Sequence, residues 1–108
     1  MAEWVRVCPT EDIAVGQREV FGINDRWIAV FNVSDTYYAI EDLCTHDGNP
    51  LAFDRNDRPS KLDGYEIECP RHGGRFDVRT GGATRSPANI DVPWFEVRIQ
   101  DGNIEVLV

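Results

Sequence analysis

Two short windows, Cys44-Thr45-His46 and Cys69-Pro70-Arg71-His72, each offer one thiol and one imidazole. Between them they hold both histidines and two of the three cysteines of the 108-residue chain. A chance scatter would rarely concentrate these residue types so tightly, and thiolate plus imidazole is a metal-binding donor set. A tetrahedral zinc site is one chemistry such donors support, but zinc fingers place both cysteines in one window and both histidines in another, on a helix. Here each window holds Cys then His, and neither lies in a helical pattern. A mixed pair in each loop suits two adjacent metal ions better. One iron can take the two thiolates and the other the two imidazoles, with bridging sulfides between them, if the loops face each other. Gly73-Gly74 directly after His72 allows close approach of the backbone to a bound group, although an ordinary tight turn has the same composition.

Other chemistries fit less well. A hydrolytic Cys/His enzyme would use the same residue types, yet nothing matches a known nucleophile signature. An oxygenase needs a mononuclear iron held by two histidines and a carboxylate, with open positions. His46 and His72 are already committed, and the chain has no other histidine. Neither a dinucleotide nor a flavin fingerprint is present, so electrons must arrive from another protein. No catalytic residue is expected.

The windows have to be mounted, and the mount reads as short strands. Trp4 to Val7 alternates before Pro9, and Cys8 at its end reads as a small buried hydrophobe rather than a reactive thiol. Val20 to Ile23, Arg26 to Val33 and Thr36 to Ile40 are rich in β-branched and aromatic residues, and Asn24-Asp25 and Ser34-Asp35 separate them as tight turns. This meander of hairpins feeds straight into the first window. Asp47-Gly48-Asn49-Pro50 is a turn, Phe53 to Lys61 a polar surface loop, and Gly64 to Glu68 a strand that delivers the second window. Arg75 to Val78 is one more short strand, ended by Thr80-Gly81-Gly82, and Ser86-Pro87-Ala88 is a stiff loop. The chain closes with a hairpin, Trp94 to Ile99 and Ile104 to Val108 around Asp101-Gly102, with Phe95, Val97 and Ile99 on one face. The class is all-β, an antiparallel sandwich or small barrel with a loop module inserted between strands.

One small domain of this length is near the size where a single core becomes adequate, and a bound metal would help it fold. Eleven basic against nineteen acidic side chains give a net charge of −8, which disfavours nucleic acid and anionic membranes and suits a basic protein patch, or simply keeps the chain soluble. No apolar run is long enough to cross a bilayer, and the first residues lack a basic-then-apolar leader. The expected setting is cytoplasmic, reducing and free of disulfides.

Cys44-Thr45-His46 followed by Cys69-Pro70-Arg71-His72-Gly73-Gly74 resembles the Rieske [2Fe-2S] signature. The resemblance extends through Tyr37 to Asp42, Phe76 to Gly81, Ser86-Pro87-Ala88 and the final hairpin, so it covers nearly the whole chain. Among Rieske proteins the chain is most similar to the small ferredoxins that serve bacterial aromatic-ring-hydroxylating dioxygenases. That family implies a single Rieske domain: a base of residues 1–41 and 88–108, a cluster-binding subdomain of 42–87, and a proline-bearing loop over the cluster. It implies Cys44, His46, Cys69 and His72 as ligands of one [2Fe-2S] cluster, with the histidines at the exposed tip. It also implies a monomeric one-electron carrier between a flavin-dependent reductase and a terminal oxygenase. A zinc-stabilised interaction module, a Rieske carrier for another oxidase, and a cluster-free nitrite reductase small subunit are the competing readings, the last lacking ligands that are all present here.

High-potential Rieske proteins carry an extra disulfide-forming cysteine in each window, where this chain has Asn49 and Arg71. Their serine and tyrosine hydroxyl donors to sulfur are matched here by Gly74 and Phe76. Each lost donor leaves an added electron less stabilised, so the potential is expected near the low end of roughly −150 to +300 mV. The Phe53 to Lys61 stretch departs from most such ferredoxins in being longer. Arg71, Arg75, Arg79 and Arg85 could make the tip locally basic, or could pair with acids such as Asp54, Asp57 and Asp63.

Overall fold

Three two-residue turns set the registers of the β-framework, each with both central residues at positive φ: Asn24-Asp25 (51° and 62°), Ser34-Asp35 (54° and 68°) and Asp101-Gly102 (54° and 76°). Such turns match the right-handed twist of the strands they join, and Asn, Asp or Gly holds five of the six central positions, with Ser34 at the sixth. The computed structural model describes residues 2–108. Strands β1 (Trp4–Pro9), β2 (Arg18–Ile23), β3 (Arg26–Val33) and β4 (Thr36–Glu41) precede the first window. After it come β5 (Leu62–Asp63), β6 (Glu66–Glu68), β7 (Arg75–Asp77), β8 (Ala83–Arg85), β9 (Trp94–Phe95), β10 (Val97–Gln100) and β11 (Asn103–Leu107). They form three antiparallel sheets, ordered β1-β11-β10, β2-β3-β4-β9 and β5-β6-β7-β8.

The middle sheet is the shared wall of two cores. In β3, Ile28 through Asn32 are all buried, because successive side chains point to opposite faces and both faces are covered. Ala29 and Phe31, with Ile40 of β4, pack against Leu51, Ile67, Phe76 and Val78 on the side of the two windows. Ile28 and Val30, with Ala39, pack against Ile13, Ile104 and Val106 on the side of the terminal sheet. Cys8 is half-buried against this second core, as its hydrophobic reading requires. Buried Asn32 ties the β3–β4 turn to the segment before β2, its Nδ2 donating to the Ile13 carbonyl (2.8 Å) and its Oδ1 accepting the Asp35 N–H (2.9 Å).

The terminal hairpin differs from its expected form. Trp94 to Ile99 is two strands: β9 pairs with β4 (Ala39 opposite Phe95), whereas β10 pairs with β11 (Val97 opposite Val106). Glu96 is the handover between sheets, and its carbonyl accepts the Leu107 N–H (2.9 Å). Ile99 is consequently 48% exposed rather than on a buried face. Alternation along the chain cannot register a change of partner.

Phe53 to Lys61 is a small built finger. Phe53 bridges Pro59, the Asp54 N–H donates to the Arg58 carbonyl (2.8 Å), and Asp54 Oδ1 accepts the N–H groups of Asn56 (2.8 Å) and Arg58 (3.0 Å). Its base is clamped by buried Arg18, whose guanidinium donates to the carbonyls of Ala52 (2.9 Å) and Ser60 (2.8 Å). Residues 55–59 remain exposed, so the surface-loop expectation holds for the tip and fails at Ser60. Among the described residues no helix is long and apolar enough to cross a membrane.

Candidate metal centre

Each window is a loop closed on itself by the same two hydrogen bonds. In the first, the Cys44 N–H donates to the Asn49 carbonyl and the Gly48 N–H to the Cys44 carbonyl, both at 2.7 Å. In the second, the Cys69 N–H donates to the Gly74 carbonyl (2.6 Å) and the Gly73 N–H to the Cys69 carbonyl (3.0 Å). The glycine four residues after each cysteine stands at positive φ, 77° for Gly48 and 78° for Gly73, a conformation glycine adopts with no Cβ penalty. Histidine falls two residues after Cys44 but three after Cys69, so the equivalence of the loops lies in their backbones rather than in the motif spacing.

β4 positions the first loop and β6 and β7 the second. Asp42, just beyond β4, turns its Oδ1 back to accept the N–H groups of Leu51 and Ala52, both at 2.8 Å, and so closes the chain around the first window. Ile67 and Phe76, opposite each other on β6 and β7, are fully buried and hold the second window's strands on the wall. A strap of residues 86–92 packs on both windows. Thr45 Oγ1 donates to the Ile90 carbonyl, and Gly74 lies so close to Ala88 that a Cβ added there would sit 2.9 Å from its Cβ and N.

The four expected donors meet at one end of this module. Cys44 and Cys69 are each 1% exposed, whereas His46 and His72 lie at the surface with ring centroids 5.1 Å apart and planes at 88°. Asp47 stands between the pairs: one oxygen is 3.1 Å from His72 Nδ1 and 3.9 Å from Cys69 Sγ. Ligand atoms of Cys44, Asp47 and Cys69 all fall within 4.8 Å of one another. Burial opposes ionisation of Asp47, but hydrogen bonds from Asn49, Cys44 and His72 outweigh it and draw the carboxyl below its usual pKa. Burial pushes the Cys44 thiol up to about 11, with the Cys69 thiol beside it adding to the rise.

Residues 3–96 match the family model of the Rieske [2Fe-2S] domain. The chain belongs to the Rieske family. It is 38% identical to Ferredoxin CarAc of Metapseudomonas resinovorans over 104 residues, which cover 95% of this chain and 92% of that protein. It is 33% identical over 109 residues to the ferredoxin component of the p-cumate 2,3-dioxygenase system of Pseudomonas putida, covering 98% of this chain and 86% of that one. A chain in the solved complex of reduced oxygenase and oxidized ferredoxin in carbazole 1,9a-dioxygenase matches with a TM-score of 0.84 and 36% identity, over 95% of this chain and 91% of that one.

A Rieske domain implies one [2Fe-2S] cluster, and the chemistry of this pocket fits it. Two thiols buried side by side resist joint ionisation unless a cation neutralises them, which bound iron would do. The imidazoles, by contrast, sit where solvent or another protein reaches them.

The arginines after the second cysteine do not form a basic tip. Arg75 is held by Asp63 (3.0 Å), Glu66 (3.3 Å) and Glu68 (3.0 Å), and Arg85 also reaches Glu68 (3.3 Å). Arg79 pairs with Asp77 (2.8 Å) and covers the Tyr65 ring at 3.8 Å. Among the described residues, Arg71 alone of the four makes no ion pair. The pairing reading therefore holds for three of them, through Asp63 and, besides it, Glu66, Glu68 and Asp77, whereas Asp54 and Asp57 form no ion pair with these arginines. Sequence reasoning missed Asp42, Asp47 and Arg18 as parts of the site. For Asp47 a signal existed, since it adjoins His46; for Asp42 and Arg18 none did, because their partners lie 9 to 42 residues away.

Proposed function

We propose that Cys44 and Cys69 hold one iron of the cluster and His46 and His72 the other, and that the chain is a one-electron carrier. It takes electrons from a flavin-dependent reductase and delivers them to the terminal oxygenase of an aromatic-ring-hydroxylating system. The observation that carries this reading is the burial asymmetry: thiols shielded in the core, imidazoles touching each other at the surface. Thiolates neutralise their iron, whereas neutral imidazoles leave theirs more positive and so favour it as the site of the incoming electron. His46 and His72 are then the electron's way in and out. Of the relatives named above, one is a ferredoxin and another the ferredoxin component of a dioxygenase system, and one chain matched belongs to a ferredoxin–oxygenase complex. The chain is accordingly a component of an oxidoreductase system and performs no catalysis itself.

The division into a cluster-binding subdomain (42–87) and a base (1–41 and 88–108) is part of the same proposal. It is supported by the β5-β6-β7-β8 sheet lying wholly inside the first range. The protein acts as a cytoplasmic monomer in this reading. The test is an EPR spectrum of the dithionite-reduced, anaerobically purified protein, with iron and acid-labile sulfide counted on the same sample. A rhombic signal of low average g with two irons and two sulfides per chain supports the assignment. One zinc per chain and no signal would refute it in favour of a structural metal module. Replacing His46 or His72 by Cys should shift the g values without losing iron, which a histidine outside the ligand set would not do.

A further inference from the structure

A groove of about 420 Å³ opens directly beside His72. Its walls include Pro50, Phe53, Arg55, Asn56, Arg71 and His72. One wall is the finger of residues 53–59, bridged from Phe53 to Pro59 and clamped at its base by Arg18. The finger is therefore braced at its base, and Arg55 and Asn56 sit at its exposed end. The opposite wall is the second window itself, through Pro70, Arg71 and His72.

The charge of this groove is at odds with that of the molecule. The chain carries −8 overall, and Arg75, Arg79 and Arg85, which follow the second window, are held in ion pairs. Arg55 and Arg71 are exposed and make no ion pair among the described residues. The acid in the groove, Asp54, directs one carboxylate oxygen into its own turn, to the N–H groups of Asn56 and Arg58. Two exposed guanidinium groups, Arg71 and an Arg55 that shares the groove with the Asp54 carboxylate, thus flank the apolar side chains of Phe53 and Pro50. Guanidinium groups bind carboxylates in a bidentate fork, and a preformed site loses little entropy on binding.

We propose that this groove receives a carboxylate-bearing segment of the protein that exchanges electrons with His72, with Arg55 and Arg71 as the residues that select it. The inference rests on the electron-carrier reading and adds the chemistry of the contact. On an otherwise acidic protein, the pair directs an acidic partner surface to the edge where His72 is exposed, and disfavours basic surfaces there.

The test uses the holoprotein and its Arg55→Glu, Arg71→Glu and doubly reversed variants, with Arg6→Glu on exposed β1 as the control for net charge. Each is titrated with the reductase and, separately, with the terminal oxygenase. With at least one partner, the half-saturating concentration should rise about tenfold at low ionic strength while the maximal rate stays within about twofold, and the effect should fade as salt is raised. The same proteins, chemically reduced, are oxidised by hexacyanoferrate(III) or by tris(phenanthroline)cobalt(III), each of which accepts one electron. Charge reversal in the groove should slow the anionic oxidant severalfold and speed the cationic one. Groove variants indistinguishable from Arg6→Glu with both partner proteins would overturn the proposal, whatever the two inorganic oxidants show. Failure of the wild type to pass electrons to either protein would instead overturn the carrier reading, and the contrast between the two inorganic oxidants would still decide whether Arg55 and Arg71 govern anion access to His72.

Discussion

Replacing Asp42 by alanine should loosen the first window without touching any of the four expected ligands. Its Oδ1 accepts two backbone N–H groups, from Leu51 and Ala52, both at 2.8 Å, and those two residues are fully buried. Water cannot replace the acceptor there. Asp42 itself is half-exposed, so the lower end of the charge-assisted range applies, about 1.5 kcal/mol per bond. Two bonds give about 3 kcal/mol, and the penalty for orphaned buried N–H groups raises the loss toward about 5 kcal/mol. That is a third or more of the roughly 5–15 kcal/mol that holds a domain folded. Asp42→Asn keeps an acceptor oxygen in the same place and should lose about half as much. The assay is urea unfolding followed both by far-UV circular dichroism and by visible absorbance of the cluster. Both midpoints should fall for Asp42→Ala, with Asp42→Asn between it and the wild type. A Asp42→Ala protein within about 1 kcal/mol of wild type, or an asparagine variant as damaged as the alanine one, would refute the two-acceptor argument.

Other perturbations follow from equally local geometry. Gly81 stands at φ +75°, and an added Cβ would lie 1.9 Å from the Val92 carbonyl oxygen, so Gly81→Ala should lower stability by about 3 kcal/mol or more and free the strap that covers the windows, measurable by thermal melting and by hydrogen exchange at Val92. Phe76→Tyr should restore the hydroxyl of high-potential relatives and raise the midpoint potential by about 60–120 mV, the equivalent of one charge-assisted hydrogen bond in a one-electron couple. Gly74→Ser should fail to add a second increment because its Cβ meets Ala88 at 2.9 Å, and a redox titration beside a melting curve separates the two outcomes. Asp77 is held below its ordinary pKa, first by the side-chain hydrogen bond from Arg79, and Asp54 by backbone N–H groups of Arg58 and Asn56. Groups with depressed folded-state pKa contribute stability that is complete above their unfolded value of about 3.9 and is lost as pH falls through the folded value, so acid unfolding should be shallower in Asp77→Asn.

Much of the framework was legible because it depends on neighbours in sequence. Asn24-Asp25, Ser34-Asp35 and Asp101-Gly102 declare their turns through residues that tolerate positive φ, and the strands between them follow from β-branched and aromatic runs. β8, only Ala83–Arg85, was not foreseen, since three residues carry no usable period and the strand exists only through pairing with β7. The break at Glu96 was equally hidden. Trp94 to Ile99 alternates without interruption, yet its two halves belong to different sheets.

The sequence by itself determined which residue types could do chemistry here, because two Cys/His windows are rare enough to announce a metal pocket without any geometry. It determined the all-β class for the same reason: alternation and turn chemistry are properties of short segments. Only the tertiary structure decided how the pocket is oriented. The buried thiols, the exposed and touching imidazoles, the closure of the first window by Asp42 and the neutralising of Arg75, Arg79 and Arg85 all depend on which segments the fold brings together. The finger that walls the groove beside His72 depends on Arg18, more than thirty residues upstream of the carbonyls it clamps. Hydrogen bonds and ion pairs are short-ranged in space but indifferent to separation along the chain, so a sequence names the groups while the packing chooses their partners.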